Sequence, residues 1–451
     1  MDGWDALTWL AVRGARPEPE RNPMDTAAAS PSIQAHRVKR LGHLDLPGAG
    51  QVVVQGNHAF LGHMEAPHGT TIVDVSDPRK PRIAAQIKLE DEHEHSHKVR
   101  VVGNIMYTNL ERPSRRFAAK AMRLAQTRAE LEKTLRRVPT ATELAGRLKV
   151  KESEVPQLEE WSRTGFPRGG LRVWDISDVA KPKLISHVKT GGVGVHRFDV
   201  DANYAYISTG MEGYGGNILV NYDVRNPARA EEVSRWWLPG QHLAGGESPE
   251  GPSDAWHLHH AMRCGDLLWA GCFYAGLRVI DVSDIRKPRT VGSYNYHPPV
   301  ADPTHTVLRV PHKIVGRDIA VVMDEAHGRH HGRSPAGMWV FDVGNLERIQ
   351  LISHFQVSEL DTPWARKGGR FGAHQFQEHI EGTLVYCTWF SGGLRIVDIR
   401  DPLAPEEVGW YIPEPCGGQA TPQTNDVEVD ARGLVYIVDR HCGFDILEFG
   451  Q

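Results

Sequence analysis

Gly276-LRVIDVSDIRKP (276–288) and Gly393-LRIVDIRDPLAP (393–405) decide how this chain is read, because the same phrase recurs along it. Related copies begin at Gly69 (TTIVDVSDPRKP), Gly170 (LRVWDISDVAKP) and Gly337 (MWVFDVGNLERI); a truncated copy, FDILEFG, follows Gly443, and a looser one, NILVNYDVRNPA, follows Gly216. In each, apolar residues alternate behind a glycine, and the run ends at an aspartate-containing turn that is often closed by proline. That pattern spells a strand, a tight turn and the start of a second strand. The turn aspartate is suited to accept hydrogen bonds from backbone amides two residues on.

The anchor acids are Asp74, Asp175, Asp223, Asp281, Asp342, Asp398 and Glu448, with successive separations of 101, 48, 58, 61, 56 and 50 residues. Two more apolar strands precede each phrase, as in His196-RFDVDANYAYIST and His259-HAMRCGDLLWAGC, so each unit holds four strands. Four-stranded antiparallel units at such a period are the mark of a β-propeller, in which each blade buries its faces against its neighbours. The expected fold is all-β: a seven-bladed β-propeller over residues 36–112 and 169–451, preceded by a flexible extension at 1–35. The segment His36–Leu46 reads as an unattached outer strand, and the last copy stops after its third strand. Pairing the two closes the ring and removes free edges. The doubled gap places an insertion in blade two, at residues 113–168, where the periodicity turns helical and Thr140 with Glu143 forms a capping box. It is expected to be a small helical lid.

The repeated phrase resembles the LVIVD repeat of bacterial and archaeal proteins. That resemblance implies a propeller and says little about function, because propellers host many chemistries. A weaker likeness, in Asp-x-Ser-Asp-Pro turns, is to the selenium-binding and methanethiol oxidase family, and it implies histidine-bound metal. Within the insert, LEKTLRRVPTATELAGRLKVKESEVPQL is similar to the helical segment of bacterial sigma factors that follows their promoter-melting region, which implies a helical hairpin of that shape.

Histidine is abundant, at 24 residues. Aligning the units places one residue at the start of each innermost strand: His97, His196, His259, His305 and His374, with Gly50 and Asn425 or Asp426 at the remaining positions. His257 and His260 are alternatives to His259. Innermost strands surround the axis of a propeller, so one shared register position converges on one ring. A single histidine in a β protein is usually an ordinary core or surface residue; the shared register is what singles these out. Neutral imidazoles in such a ring suit a first-row transition metal, Fe(II) by preference, with Cu, Mn or Zn as alternatives. Loops on the same side carry Glu65, Glu111, Glu212 and Asp324 with Glu325. The four glutamates are candidates to orient the imidazoles and to take part in catalysis. His63, His68, His327, His330, His331 and His441 fall on the same face, and Phe273, Tyr274, Trp389 and Phe390 are candidates to wall a pocket.

The remaining composition narrows the function. Forty per cent of the 451 residues are hydrophobic and 24% charged, with a formal net charge of −4, which fits a globular protein and gives no general reason to bind nucleic acid. No apolar run is long enough to span a membrane, no signal peptide is expected, and five cysteines without a C-x-x-C pair argue against a disulfide framework. A cytoplasmic protein is the expectation. The expected activity is metal-dependent oxidation of a small organic substrate at an axial, all-histidine site, an arrangement similar in architecture to the carotenoid-cleaving oxygenases. A hydrolase or lyase on the same metal and a non-catalytic scaffold for another protein are the rival readings.

Overall fold

The structure is a computed structural model that describes residues 34–92, 94–112, 115–164, 166, 168–248, 256–327 and 335–450. Most of the expected N-terminal extension and the run at 328–334, with His330 and His331, lie outside the described residues.

The repeated phrase builds the same corner each time. Oδ1 of Asp74, Asp175, Asp281 and Asp398 accepts the amide of Ser76, Ser177, Ser283 and Arg400 at 2.8–3.0 Å. Three residues on, Asp77, Asp178, Asp284 and Asp401 repeat the bond to Arg79, Ala180, Arg286 and Leu403 at 3.0–3.1 Å. Two consecutive side-chain-capped turns therefore reverse the chain between the third and fourth strands. The leading glycine is equally constrained: Gly276 and Gly393 both have φ near +76°, and a Cβ there would lie 2.3 Å from the carbonyl oxygen of Tyr294 or Tyr411 on the outer strand.

These corners organise a series of four-stranded antiparallel sheets. The first holds Ala49–Gln55, His58–His63, His68–Asp74 and Arg82–Lys88; the second Val99–Val102, Ile105–Leu110, Gly170–Asp175 and Lys183–Lys189. The third runs from Val195 to Trp236, the fourth from His260 to Tyr294 and the fifth from Thr304 to Phe355. The last seven strands, in two halves, Phe371–Ile412 and Thr424–Phe449, which meet at the pair Phe390 and Thr424, form one nine-stranded sheet together with two N-terminal strands. The N-terminal strand Val38–Pro47 completes the second half by pairing antiparallel with Cys442–Phe449, Val38 opposite Phe449 and Leu44 opposite Phe444. The strand Gln34–His36 joins the outer edge of the first half, against Glu406–Ile412.

Burial shows why the sheets stay together. Trp269, Leu277 and Val279 of the fourth sheet pack with Val307, Val322 and Phe341 of the fifth. Equivalent apolar layers join each neighbouring pair, and Tyr436, Phe444 and Ile446 pack on Val52, Leu61 and Val73, which joins the last sheet to the first. This closed series of small sheets is a β-propeller.

The insertion falls between Leu110 and Gly170, the second and third strands of its sheet. It consists of α1 (Arg115–Leu135), α2 (Ala141–Leu148) and α3 (Val155–Thr164). The Thr140–Glu143 capping box is present. Ala121, Leu124, Leu144, Leu148, Val155 and Leu158 give the helices a small core of their own. At its base the Arg112 guanidinium lies 4.2 Å from the Trp161 ring centre, and Arg168 pairs with the fully buried Glu94 at 2.6 Å. Cys272 and Cys387 are buried free thiols, as small apolar residues would be, whereas Cys416 is disulfide-bonded, which the cysteine spacing did not lead us to expect.

His63 links the first sheet to the N-terminal strand. Its Nδ1 donates to the Pro47 carbonyl at 3.0 Å, its Nε2 accepts from the Thr71 hydroxyl at 2.7 Å, and burial pushes its pKa down to about 4. Below its ordinary value of 6.5 the unfolded chain binds a proton that the native imidazole refuses until about pH 4. Stability is therefore lost as pH falls through that window, by about 3 kcal/mol for this residue alone. Denaturant unfolding of wild type and His63→Gln across pH 4–7 checks this: the variant should lose about one proton equivalent of pH dependence, and parallel curves would refute the assignment.

Candidate metal centre

The residues at the start of the innermost strands come together. Ring centres of His97 and His196 are 5.1 Å apart, His196 and His259 5.1 Å, His259 and His305 3.9 Å, and His305 and His374 4.7 Å. His97, His259, His305 and His374 are buried. Of the three candidates in the fourth sheet, His259 joins the ring. His257 turns its Nδ1 to the Leu258 carbonyl, and His260 faces the layer beneath. Gly50 supplies no side chain, and a Cβ there would lie 2.7 Å from that of His97, so the histidine packs against bare backbone.

Hydrogen bonds set the tautomers of four of these rings. Nδ1–H of His196 donates to Glu111 Oε1 at 3.0 Å, and that of His259 to the His305 carbonyl at 2.8 Å. The Thr306 hydroxyl donates to Gln375 Oε1 at 2.8 Å and so accepts from His305 Nδ1–H, also at 2.8 Å. His374 Nδ1–H donates to the Asn425 carbonyl. In each ring Nε2 is the second nitrogen, and those of His196 and His259 meet at 3.2 Å. That contact is bridged either by a proton carried on one of the two nitrogens or by a cation held between them. With metal–nitrogen bonds of about 2.0–2.1 Å, a 3.2 Å separation subtends about 100° at a shared ion, which is a fit for two adjacent ligands. Burial pushes His259, His305 and His374 well below their ordinary pKa, Arg197 adding to the effect at His259, which keeps them in the neutral, ligating form.

Two of the four candidate glutamates reach this ring. Glu325 lies 3.8 Å from Nε2 of both His305 and His374, is bonded to His327 Nε2 at 2.9 Å and pairs with Arg370 at 2.9 Å. Burial alone would raise its pKa, but the bonded His327 outweighs this and holds it well below the usual carboxylate range. Glu111 lies 3.5 Å from His97 Nδ1 as well as beside His196. Glu65 and Glu212 are exposed and belong to neither His/Glu cluster found among the described residues. Both sit in turns that have already left their strands. Asp324 is also removed from the mouth: it is buried, accepts from Tyr296 and Trp339, and is pushed up to about 8 by burial. With Glu111 and Glu325 at its edge, the site is not made of histidine alone.

The sequence reading passed over His95 and a second polar layer, and it named Phe273 and Phe390 only as candidates to wall a pocket. His95 lies beside His97, with ring centres 4.1 Å apart. Phe273 and Phe390, at matching places three residues before Gly276 and Gly393, have φ of +44° and +43° and lay their rings on His259 and His374 at 5.1 and 4.7 Å. Positive φ at a bulky residue costs about 1 kcal/mol or more, and here it turns two aromatic faces against the ring. Finally, the residue after each ring position forms a second, buried polar layer: Gln51, Lys98, Arg197, His260, Thr306, Gln375 and Asp426. Glu378 crosses beneath it, bonded to Arg100, Arg197, Gln375 at 2.9 Å and Gln51 at 3.5 Å.

A propeller with a histidine-lined axial mouth is the class that this fold and site define. The LVIVD repeat model matches residues 48–87, 265–296 and 379–412, so the chain carries LVIVD repeats. No curated protein matches the chain. Among solved structures, the computationally designed Ika8 protein aligns at 9% identity over 90% of this chain and 98% of that one, with a TM-score of 0.47, a likeness too slight to carry an argument.

Proposed function

We propose that this protein is a seven-bladed propeller, the nine-stranded sheet counting as two blades, and that its mouth binds a first-row transition metal for oxidative chemistry on a small organic substrate. The observation that carries the metal is the set of four imidazoles, His196, His259, His305 and His374, each anchored through Nδ1, with the Nε2 atoms of His196 and His259 3.2 Å apart and those of His305 and His374 each 3.8 Å from Glu325. Histidine ligands are commonly held in this way, by donation of the other N–H to a carboxylate or carbonyl. Fe(II) is the preferred ion: an imidazole-rich set with one carboxylate, Glu325, at its edge leaves positions open, and such an ion supplies activation of dioxygen or polarisation of substrate when bound.

The remaining residues have supporting roles. Glu111 orients His196. Glu325, with Arg370 and Arg440 behind it, keeps a negative charge at the ring that balances a bound cation. Phe273 and Phe390 line the approach with apolar surface. The helical insert, anchored through Arg112 and Arg168 beside the segment that carries His95 and His97, acts as a cover that limits access of water.

Elemental analysis of purified protein tests the reading. Wild type should retain transition metal, and His259→Ala, His305→Ala and His374→Ala should each lower occupancy sharply, while His354→Ala, which stacks on Trp339 away from the ring, should leave it unchanged. Metal-free wild type, or equal occupancy in ring and control variants, would turn the reading to the scaffold alternative.

A further inference from the structure

We propose that the mouth holds a second metal ion, on His95, His97 and Glu111, distinct from the ion on the four Nε2 atoms. The inference rests on the metal reading above and adds a site to it. Ligand atoms of these three residues all lie within 4.8 Å of one another, in a group that shares no member with the cluster of His305, Glu325 and His374. Glu111 Oε1 is 3.5 Å from His97 Nδ1 and 3.7 Å from His95 Nε2. Two ligands at about 2.1 Å from one ion are separated by about 3.0–3.4 Å for angles of 90–110°, so the two contacts of Glu111 require only a few tenths of an ångström of closure.

The backbone explains why these three side chains share a face. His95 and Glu111 exchange both backbone hydrogen bonds, at 2.8 and 2.9 Å, as one isolated antiparallel pair. His97 follows His95 by two residues, which in extended chain returns it to the same side. Glu111 is buried, at 1% exposure, so its charge is set among imidazoles rather than in water. A His-x-His pair with one carboxylate from the facing strand is a three-ligand set, suited to Zn(II), Fe(II) or Mn(II), with positions left for water or substrate.

Glu111 makes the two positions communicate, because its Oε1 also accepts the Nδ1–H of His196. It is thus a ligand of the second ion and an orienting partner within the first set. His95 belongs to the second position alone. Substitutions should separate accordingly: His95→Gln removes one ion and leaves the other, whereas Glu111→Gln removes one and weakens the other by about 10–100-fold.

The test uses the full-length protein, stripped of metal and titrated with Zn(II), with the bound ion counted by elemental analysis after gel filtration. Co(II) spectra supply a second readout, and far-UV circular dichroism checks that each variant is folded. Two equivalents in wild type and one in His95→Gln, with the remaining equivalent lost in His374→Ala, is the expected result. One equivalent in wild type, unchanged in His95→Gln but lost in His374→Ala, would overturn the second site and leave the first intact. One equivalent lost in His95→Gln but kept in His374→Ala would support this site and sink the four-imidazole reading. No binding by folded wild type would overturn both.

Discussion

Removing residues 1–47 should leave a chain that aggregates and has no cooperative unfolding transition near that of a chain beginning at residue 34. Strand Val38–Pro47 pairs along the length of Cys442–Phe449, so its loss exposes a row of unpaired backbone donors and acceptors on an apolar strand. It also removes the buried Val38 and Leu46, together with Leu44, from the layers that join the last sheet to its neighbours. At about 1.5–3 kcal/mol per buried aliphatic side chain, with the lost ladder in addition, the damage is comparable with the whole stability of a typical domain. Asp445 would lose His43, bonded at 2.8 Å, and Arg40, at 3.6 Å, and keep Tyr411 at 3.2 Å. Size-exclusion chromatography and calorimetry decide the matter. A monomer with an unchanged melting point would mean that the strand is not what closes the ring.

Glu378→Ala should destabilise the protein by about 3–5 kcal/mol in denaturant unfolding, because it strips the partner from two buried guanidiniums. Arg197 is fully buried and Arg100 nearly so, and both are held by this one carboxylate, with Asp199 as a second partner of Arg100 at 3.2 Å. Burial and the neighbouring Arg100 already depress the Arg197 pKa to about 9, which shows how poorly the site tolerates an uncompensated charge. Glu378→Gln, which keeps the shape and part of the bonding, should fall between wild type and Glu378→Ala. Combining Glu378→Ala with Arg197→Met should recover part of the loss. A Glu378→Ala variant within 1 kcal/mol of wild type would show that water fills the gap and that the carboxylate is not a clasp across the axis.

Some of this site was legible before any coordinates. A propeller maps one register position of every repeat onto the same place around the axis, so aligning glycines and turn aspartates was enough to pick out His97, His196, His259, His305 and His374. The acids could not be found in that way. Glu65 and Glu212 occupy loop positions that look like those of Glu111 and Glu325, yet they point to solvent, because a loop beyond its strand no longer follows the repeat. His95 escaped notice because its partner, Glu111, is paired with it across an isolated bridge rather than by position in the repeat.

The sequence by itself determined the strands, their corners and the partner of the orphan N-terminal strand, because each of these depends on local chemistry repeated many times: alternation, a glycine at positive φ, and aspartates that cap their own turns. Only the tertiary structure decided which nitrogen of each imidazole faces inward, which carboxylates meet the ring, and that Glu378 reaches beneath it to two arginines from other sheets. Those outcomes depend on single contacts between residues as many as 278 positions apart, such as Arg100 and Glu378, and no periodicity in the chain encodes them.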